Sequence, residues 1–160
     1  MTFTPAQYQI LKAYIASIPT WASLPKNDDS AFFIASQLNL TASPSFIVWK
    51  TNVTVRETGQ AFVGSEWAGM TSANHTRLQT VAQYLEAYSP AVQSIRDMFN
   101  DIWSGAGGVL TRAALLALWK RPATVFEKLF AIGTGSDIAP ATMVLEGNVS
   151  YQDVSAAWNS

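Results

Sequence analysis

Apolar residues recur at helical spacing along most of the chain. Near the start, the apolar positions from Tyr8 to Ile18 lie three or four residues apart, behind a threonine that can cap a helix and a proline that suits its first turn. This pattern predicts a first helix over residues 5–18. A second helix is predicted from about residue 28 to residue 39, with Phe32 and Phe33 on its apolar face.

Two further helices are predicted in the middle of the chain. A threonine–serine pair at residues 71–72 begins the first, and Pro90 ends its pattern. The second has apolar positions at helical spacing from Val92 to Ile102. Residues 46–62 open with an apolar run that is too short for periodicity to separate a strand from a buried helix, and we favour a helix there.

The last third begins with a very apolar helix. Thr111 or a residue just before it opens this helix, Pro122 kinks or restarts it, and Gly133 marks its end. Residues 142–145 are rich in strand formers and favour one short strand. Residues 150–153 resemble a capping box, which predicts a final helix.

These elements predict a mainly α fold. We expect a single-domain bundle of six or seven helices with a short strand and an irregular C-terminal tail. Residues 1–133 form the helical core in this interpretation. Residues 134–160 form a tail or arm that belongs to the same domain and is able to dock on a partner.

Charge is scarce and aromatic residues are plentiful. Only 13% of the 160 residues are charged, whereas six are Trp, eight are Phe and five are Tyr. Soluble domains usually contain about 25% charged residues, so much of this surface has to be neutral or apolar. Such a surface is typical of a subunit whose faces are covered by neighbours, and we expect a homo-oligomer.

Composition also narrows the chemistry. The chain has no cysteine and a single histidine, which leaves too few nitrogen and sulfur ligands for a structural zinc site, and we expect neither metal nor cofactor. No apolar run is long enough to span a membrane, and the start of the sequence lacks the pattern of a secretory leader, so we expect synthesis in the cytoplasm and no membrane contact. The net charge of −1 excludes a broad positive field for nucleic acid.

Paired carboxylates are the main catalytic candidates. Glu57 with Glu66, or Asp97 with Asp101, offers the two carboxyl groups that glycoside hydrolysis uses. No recognisable catalytic motif surrounds either pair, and His75 is expected to be a polar first-turn residue facing solvent. We therefore predict that the chain is not an enzyme.

Two sets of residues are candidates for binding partners. The aromatic candidates for buried anchors at a subunit interface are Trp21, Trp67, Trp158 and Tyr151. The candidates for a local basic patch are Arg112, Lys120, Arg121 and Lys128. This patch has two interpretations: it faces packaged nucleic acid or an acidic partner, or its cations complement a helix dipole before Pro122.

The C-terminal third resembles a group of small proteins encoded among the virion genes of tailed bacteriophages and prophages. The resemblance is carried by the run SGAGGVLTRAALLALWKR, by the segment after Pro122 up to Asp137, and by residues 146–154, with weaker similarity at residues 49–51 and 69–71. It implies a structural protein of the virion. A mostly helical subunit of this size is similar in kind to head-to-tail connector or adaptor proteins, which form a ring between the portal and the tail.

The expected function is therefore that of a connector subunit in the neck of a phage particle. Its expected partners are copies of itself and the portal and tail proteins, with incidental contact to packaged DNA. Two alternatives stay open at this point, namely a capsid decoration or tail-completion protein and a virion-associated cell-wall hydrolase.

Overall fold

Helices dominate the computed structural model, which describes residues 3–160. The chain is 57% helix and 9% strand, so the predicted mainly α class is confirmed. The helices in the described residues are α1 (Pro5–Ser17), α2 (Pro19–Ala22), α3 (Asp28–Leu38), α4 (Val55–Gln60), α5 (Gly64–Ala68), α6 (Ser72–Tyr84), α7 (Gln93–Ile102), α8 (Val109–Leu118), α9 (Val125–Phe130) and α10 (Tyr151–Asn159). They exceed the predicted six or seven because α2, α4 and α5 are too short to show helical periodicity.

The chain forms two compact units. Unit 1 combines the described residues up to Phe46 with Pro122–Ser160, and unit 2 is the continuous segment Ile47–Arg121. Residues 3–160 contain four short strands, which form two two-stranded sheets. They are β1 (Ile47–Trp49), β2 (Val53–Thr54), β3 (Ala87–Tyr88) and β4 (Lys120–Pro122), with β1 beside β4 and β2 beside β3.

Unit 1 is a helical core in which α3 packs against α10, and α10 packs against α1. The buried stripe of α3 consists of Ala31, Ile34, Ala35 and Leu38, at the spacing of one helix face. Phe32 and Phe33 lie on the opposite side and are about half exposed, so their predicted place on the buried face is wrong. The two phenylalanines fall outside the sector of the helix that these four residues cover.

The final helix belongs to this core. Val154 and Ala157 are completely buried among residues of α1 and α3. The Asn39 amide also clamps the segment before α10, because it donates to the Val149 carbonyl and accepts from the Val149 N–H, both at 2.9 Å. Residues 134–160 therefore differ from the expected arm, since their second half completes the core that residues 1–133 were expected to form alone.

The segment between α9 and α10 is irregular, as expected for part of the C-terminal tail. The predicted strand over residues 142–145 is absent from the described structure, and a single antiparallel bridge joins Thr142 to Ile132 instead. The buried Glu127 carboxylate anchors this segment by accepting the N–H of Gly147 at 3.1 Å. The capping box of Ser150 with Asp153 is confirmed at the start of α10.

In unit 2, the segment favoured as a helix begins as two strands. Only Val55–Gln60 is helical, because Val53 and Thr54 pair antiparallel with Tyr88 and Ala87. The core of unit 2 consists of Val53, Leu78, Tyr88, Phe99, Ile102, Trp103, Leu115 and Trp119. The predicted start of α6 after Thr71 is confirmed by the hydrogen bond from the Asn74 N–H to its hydroxyl.

A polar network lies inside the unit 2 core. The Tyr88 hydroxyl lies 2.5 Å from the Thr58 hydroxyl and accepts the Trp119 indole N–H at 3.0 Å. Since Thr58 also donates to the Thr54 carbonyl, the Tyr88 hydroxyl is the donor to Thr58. Burial raises the pKa of Tyr88, which keeps this proton in place.

Replacing Val154 with aspartate tests the place of α10. A carboxylate at this fully buried site has no partner, so Val154→Asp should lower the free energy of unfolding by about 4 kcal/mol or more. The measurement is urea denaturation, with Gln152→Asp on the exposed side of α10 as the control. A loss of less than about 1 kcal/mol for Val154→Asp would show that α10 is dispensable to the core.

Replacing Tyr88 with phenylalanine tests the unit 2 network. Tyr88→Phe leaves the buried Trp119 N–H without its acceptor, and it should cost about 1–3 kcal/mol of unfolding free energy. Tyr84→Phe is the matched control, since Tyr84 is exposed and should change stability by less than about 0.5 kcal/mol. Equal stabilities of the two variants would contradict the assignment.

Candidate docking surfaces

Two of the predicted anchors, Trp21 and Trp158, line the same pocket in unit 1. We call it the two-tryptophan pocket. Its volume is about 130 Å³, and its lining residues are Lys12, Ile15, Ala16, Trp21, Ala22, Leu24, Lys26 and Trp158. Trp21 lies in α2 and is held edge-to-face against Tyr14 of α1, with ring centres 6.1 Å apart. Trp158 reaches the pocket because α10 packs against α1.

The charge of the two-tryptophan pocket is positive. Lys12 and Lys26 both line it, and none of the described lining residues is acidic. The Lys12 ammonium uses one of its three N–H groups to donate a hydrogen bond to the Ser160 carbonyl. The pocket therefore combines aromatic walls with two cations and suits an apolar side chain that stands next to a carboxylate.

Unit 1 also contains a loop that is closed by backbone hydrogen bonds. We call residues 132–142 the Ile138 loop. Ile132 and Thr142 exchange two backbone hydrogen bonds of 2.8 and 2.9 Å at its base, and Ser136 and Ala139 exchange two of 3.2 Å near its tip. Ile138, between Asp137 and Ala139, is 95% exposed.

Glycine fixes the Ile138 loop to the body of unit 1. Gly135 is buried with φ of 65°, and a Cβ at this position would lie 2.2 Å from the Phe46 ring. Only glycine fits this conformation and this contact. The Lys128 ammonium lies 5.6 Å from the centre of the same Phe46 ring. The loop therefore presents an isoleucine to water from a fixed base.

Trp67 lies in unit 2, within an aromatic cluster. Its ring stacks on Phe62 at 5.5 Å and meets His75 edge-on at 4.6 Å, and it remains 38% exposed. His75 is thus half-buried against Trp67 rather than directed fully into solvent. Trp67 and Phe62 form one wall of an apolar pocket of about 150 Å³, whose other lining residues include Val55, Leu78 and Phe99. A cavity of this size and polarity accommodates one large apolar group.

Tyr151 lies on the outer surface of unit 1. Its ring stacks on Phe32, with centres 4.0 Å apart and planes inclined by 18°. Phe33 and Ser36 are exposed on the same side of α3. Phe32 and Phe33 thus lie beside Tyr151, one of the four predicted interface anchors.

Helix α8 has an exposed face without charge. Its outward positions are Val109, Leu110, Ala113, Leu116 and Ala117. They fall on one side of the helix because they are spaced by one, three and four residues. The single charged residue of α8, Arg112, is turned away to the carbonyls of Trp103 and Gly105. We call these five residues the α8 face.

The four predicted basic residues are distributed over both units. Arg112 binds backbone carbonyls within unit 2, so it supports local structure rather than a free positive field. Lys120 and Arg121 are half-buried on β4, and Lys128 belongs to unit 1, where it lies over Phe46.

Of the two paired-carboxylate candidates, Glu57 and Glu66 serve as helix caps, and Asp97 instead accepts from the Gln93 side chain at 2.6 Å. Glu66 accepts the N–H groups of Leu110 and Thr111 at 2.9 and 2.7 Å. Its burial would raise its pKa, but these hydrogen bonds outweigh that effect, and the pKa lies below 4.5. Glu57 accepts from the Thr54 N–H and hydroxyl, which lower its pKa as well. A general acid requires a raised pKa, and neither of these two carboxyl groups has one.

Within residues 3–160, no group of three or more His, Asp and Glu side chains is placed to hold a metal ion. No helix in the described part of the chain is both long enough and apolar enough to cross a bilayer. Comparison with family models, curated proteins and solved structures gives no match to this chain.

Sequence reasoning missed Ile138, Phe32 and Phe33 as surface residues. Ile138 had a detectable signal, because it is an isolated apolar residue between glycine, serine, aspartate and proline, which is typical of a turn tip. Phe32 and Phe33 had a weaker one, since two adjacent bulky residues cannot both occupy the centre of one helix face.

Replacing Glu66 with glutamine tests its role as a cap. Because its folded-state pKa is depressed, ionised Glu66 stabilises the fold above the unfolded pKa of about 4.5, and this contribution disappears as the pH falls through the folded-state value. Glu66→Gln should therefore lose stability at pH 7 and show a smaller decrease between pH 7 and pH 3 than the wild type.

The measurement is urea denaturation at several pH values, with Glu86→Gln as the control, since Glu86 is exposed. A pH profile of Glu66→Gln that is parallel to that of the wild type would rule out the cap.

Proposed function

We propose that this chain is a structural subunit of a tailed-phage particle, and specifically a head-to-tail connector that assembles as a ring between portal and tail. The resemblance of its C-terminal third to small virion proteins supports a role in the virion. In this function the chain binds copies of itself and the portal and tail proteins, and it acts through these contacts alone.

The α8 face is the observation that carries this proposal. Five neighbouring exposed positions of α8 are Val, Leu or Ala, and the helix's only charge is directed elsewhere. A helix on a solvated surface normally places polar residues on its outer side. Exposed apolar side chains at this spacing are typical of a surface that assembly buries.

The rest of the described surface supports the same conclusion. Thirteen large apolar side chains are more than a third exposed, and they occur in both units. Burial of apolar area is the main driving force of association, worth roughly 25 cal/mol per Å². A ring subunit has two flanks and two ends to cover, which accounts for exposed apolar residues on several elements.

Deleting the gene tests this function directly. A connector joins head and tail, so its loss should leave filled heads and free tails that do not combine, seen by negative-stain microscopy. A decoration protein would instead leave joined particles with a changed capsid surface, and a hydrolase would leave normal particles with reduced lysis. Either of these results would refute the connector role.

Replacing Leu116 tests the α8 face. Leu116→Glu puts a charge on this face without touching the core, so unfolding free energy should change by less than about 0.5 kcal/mol. Incorporation into particles, measured by quantitative mass spectrometry of purified virions, should decrease at least about tenfold because a charge would have to be desolvated in the contact. Gln83→Glu, at an exposed position of α6, is the control. Equal incorporation of both variants would contradict the proposal.

A further inference from the structure

We propose that the Ile138 loop of one copy docks in the two-tryptophan pocket of a second copy, with Asp137 directed toward Lys12 and Lys26. This inference deepens the proposed function, because it rests on the proposal that the chain assembles with copies of itself. It names the two surfaces that meet in that assembly.

The loop has the properties of an inserting element. Ile138 is 95% exposed although it is a large apolar residue, and two backbone hydrogen-bond pairs hold the loop that presents it. Gly135 seats the loop against Phe46, so little conformational freedom is left to lose on binding. A preorganised apolar tip binds with a smaller entropic cost than a flexible segment.

The pocket matches this tip in size and in charge. Its volume of about 130 Å³ is close to that of a cavity of roughly 150 Å³ that accepts benzene, and the isoleucine side chain has fewer carbon atoms than benzene. Two lysines and no described acidic residue line the pocket, whereas an exposed aspartate precedes Ile138. Opposite charges at the rim set the register of a contact and accelerate encounter.

A second copy is favoured as the occupant because every copy carries both complementary surfaces, the Ile138 loop and the two-tryptophan pocket, on unit 1. A contact between two different patches is heterologous, so each copy offers one loop and one pocket. Repetition of such a contact produces a closed ring when the rotation between neighbours closes, and an open filament otherwise. The ring of the proposed function has this type of contact.

Cysteine cross-linking tests the contact, because the native chain contains no cysteine. Ile138→Cys protein mixed with Ala22→Cys protein should form a disulfide-linked pair, with oxidised glutathione as the electron acceptor. A variant with both substitutions should form a ladder of three or more linked chains, as a heterologous contact requires. Val144→Cys replaces Ile138→Cys in the control, since Val144 is exposed outside the loop. Equal cross-linking of both positions would overturn the inference.

A charge in place of Ile138 tests the apolar part of the contact. In sedimentation equilibrium, Ile138→Asp should raise the dissociation constant of self-association about 30-fold or more, and Val144→Asp should leave it unchanged.

Charge exchange tests the pairing of Asp137 with the lysines at the rim of the two-tryptophan pocket. Asp137→Lys and Lys26→Asp should each weaken self-association, and a mixture of the two variants should associate again. Raising the salt concentration should weaken the wild-type contact, because the rim charges are screened.

The outcomes separate this inference from the proposed function. A wild-type chain that stays monomeric, or an association that Ile138→Asp does not weaken, overturns the docking of the loop. Virions that incorporate Ile138→Asp normally overturn it too and leave the connector role intact. If loop and pocket cross-link as expected but the chain is absent from purified particles, the docking stands and the proposed function fails.

Discussion

The packing of α10 on α1 and α3 is the constraint on which unit 1 depends. Unit 1 consists of two chain segments separated by the whole of unit 2, so its core forms only when the two segments meet. Val154 and Ala157 provide the apolar part of that meeting, and the reciprocal hydrogen bonds of Asn39 with Val149 fix its register. Both buried apolar area and paired backbone groups therefore hold the ends of the chain together.

This closure also creates the surfaces to which we assign docking. Trp21 comes from the first segment and Trp158 from the second, so the two-tryptophan pocket has both walls only after α10 has packed. The Ile138 loop is anchored in a similar way, because Gly135 of the second segment rests on Phe46 of the first. A surface built from both segments is present only in a completely folded unit 1, so the self-association that we propose depends on folding.

Local signals in the sequence predicted the helix starts well, and long-range placement was harder to predict. The caps Thr4 and Ser150 are predictable, and the start of α6 is predictable to Thr71 or Ser72, because capping depends on residues three positions apart. The segment at residues 46–62 was misjudged, since pairing of Val53 with Tyr88 is invisible to local periodicity. The joint pocket of Trp21 and Trp158 was equally inaccessible, because it depends on residues far apart in sequence.

The few charged side chains of this chain have specific places in the fold. Several of the few carboxylates lie at helix starts, where Glu57, Glu66 and Asp153 accept backbone N–H groups, and Arg112 is occupied with carbonyls at the end of α7. These groups stabilise the helix ends, and none of them lies on the α8 face. In the assembly that we propose, affinity comes from apolar burial, and charges such as Lys26 determine orientation.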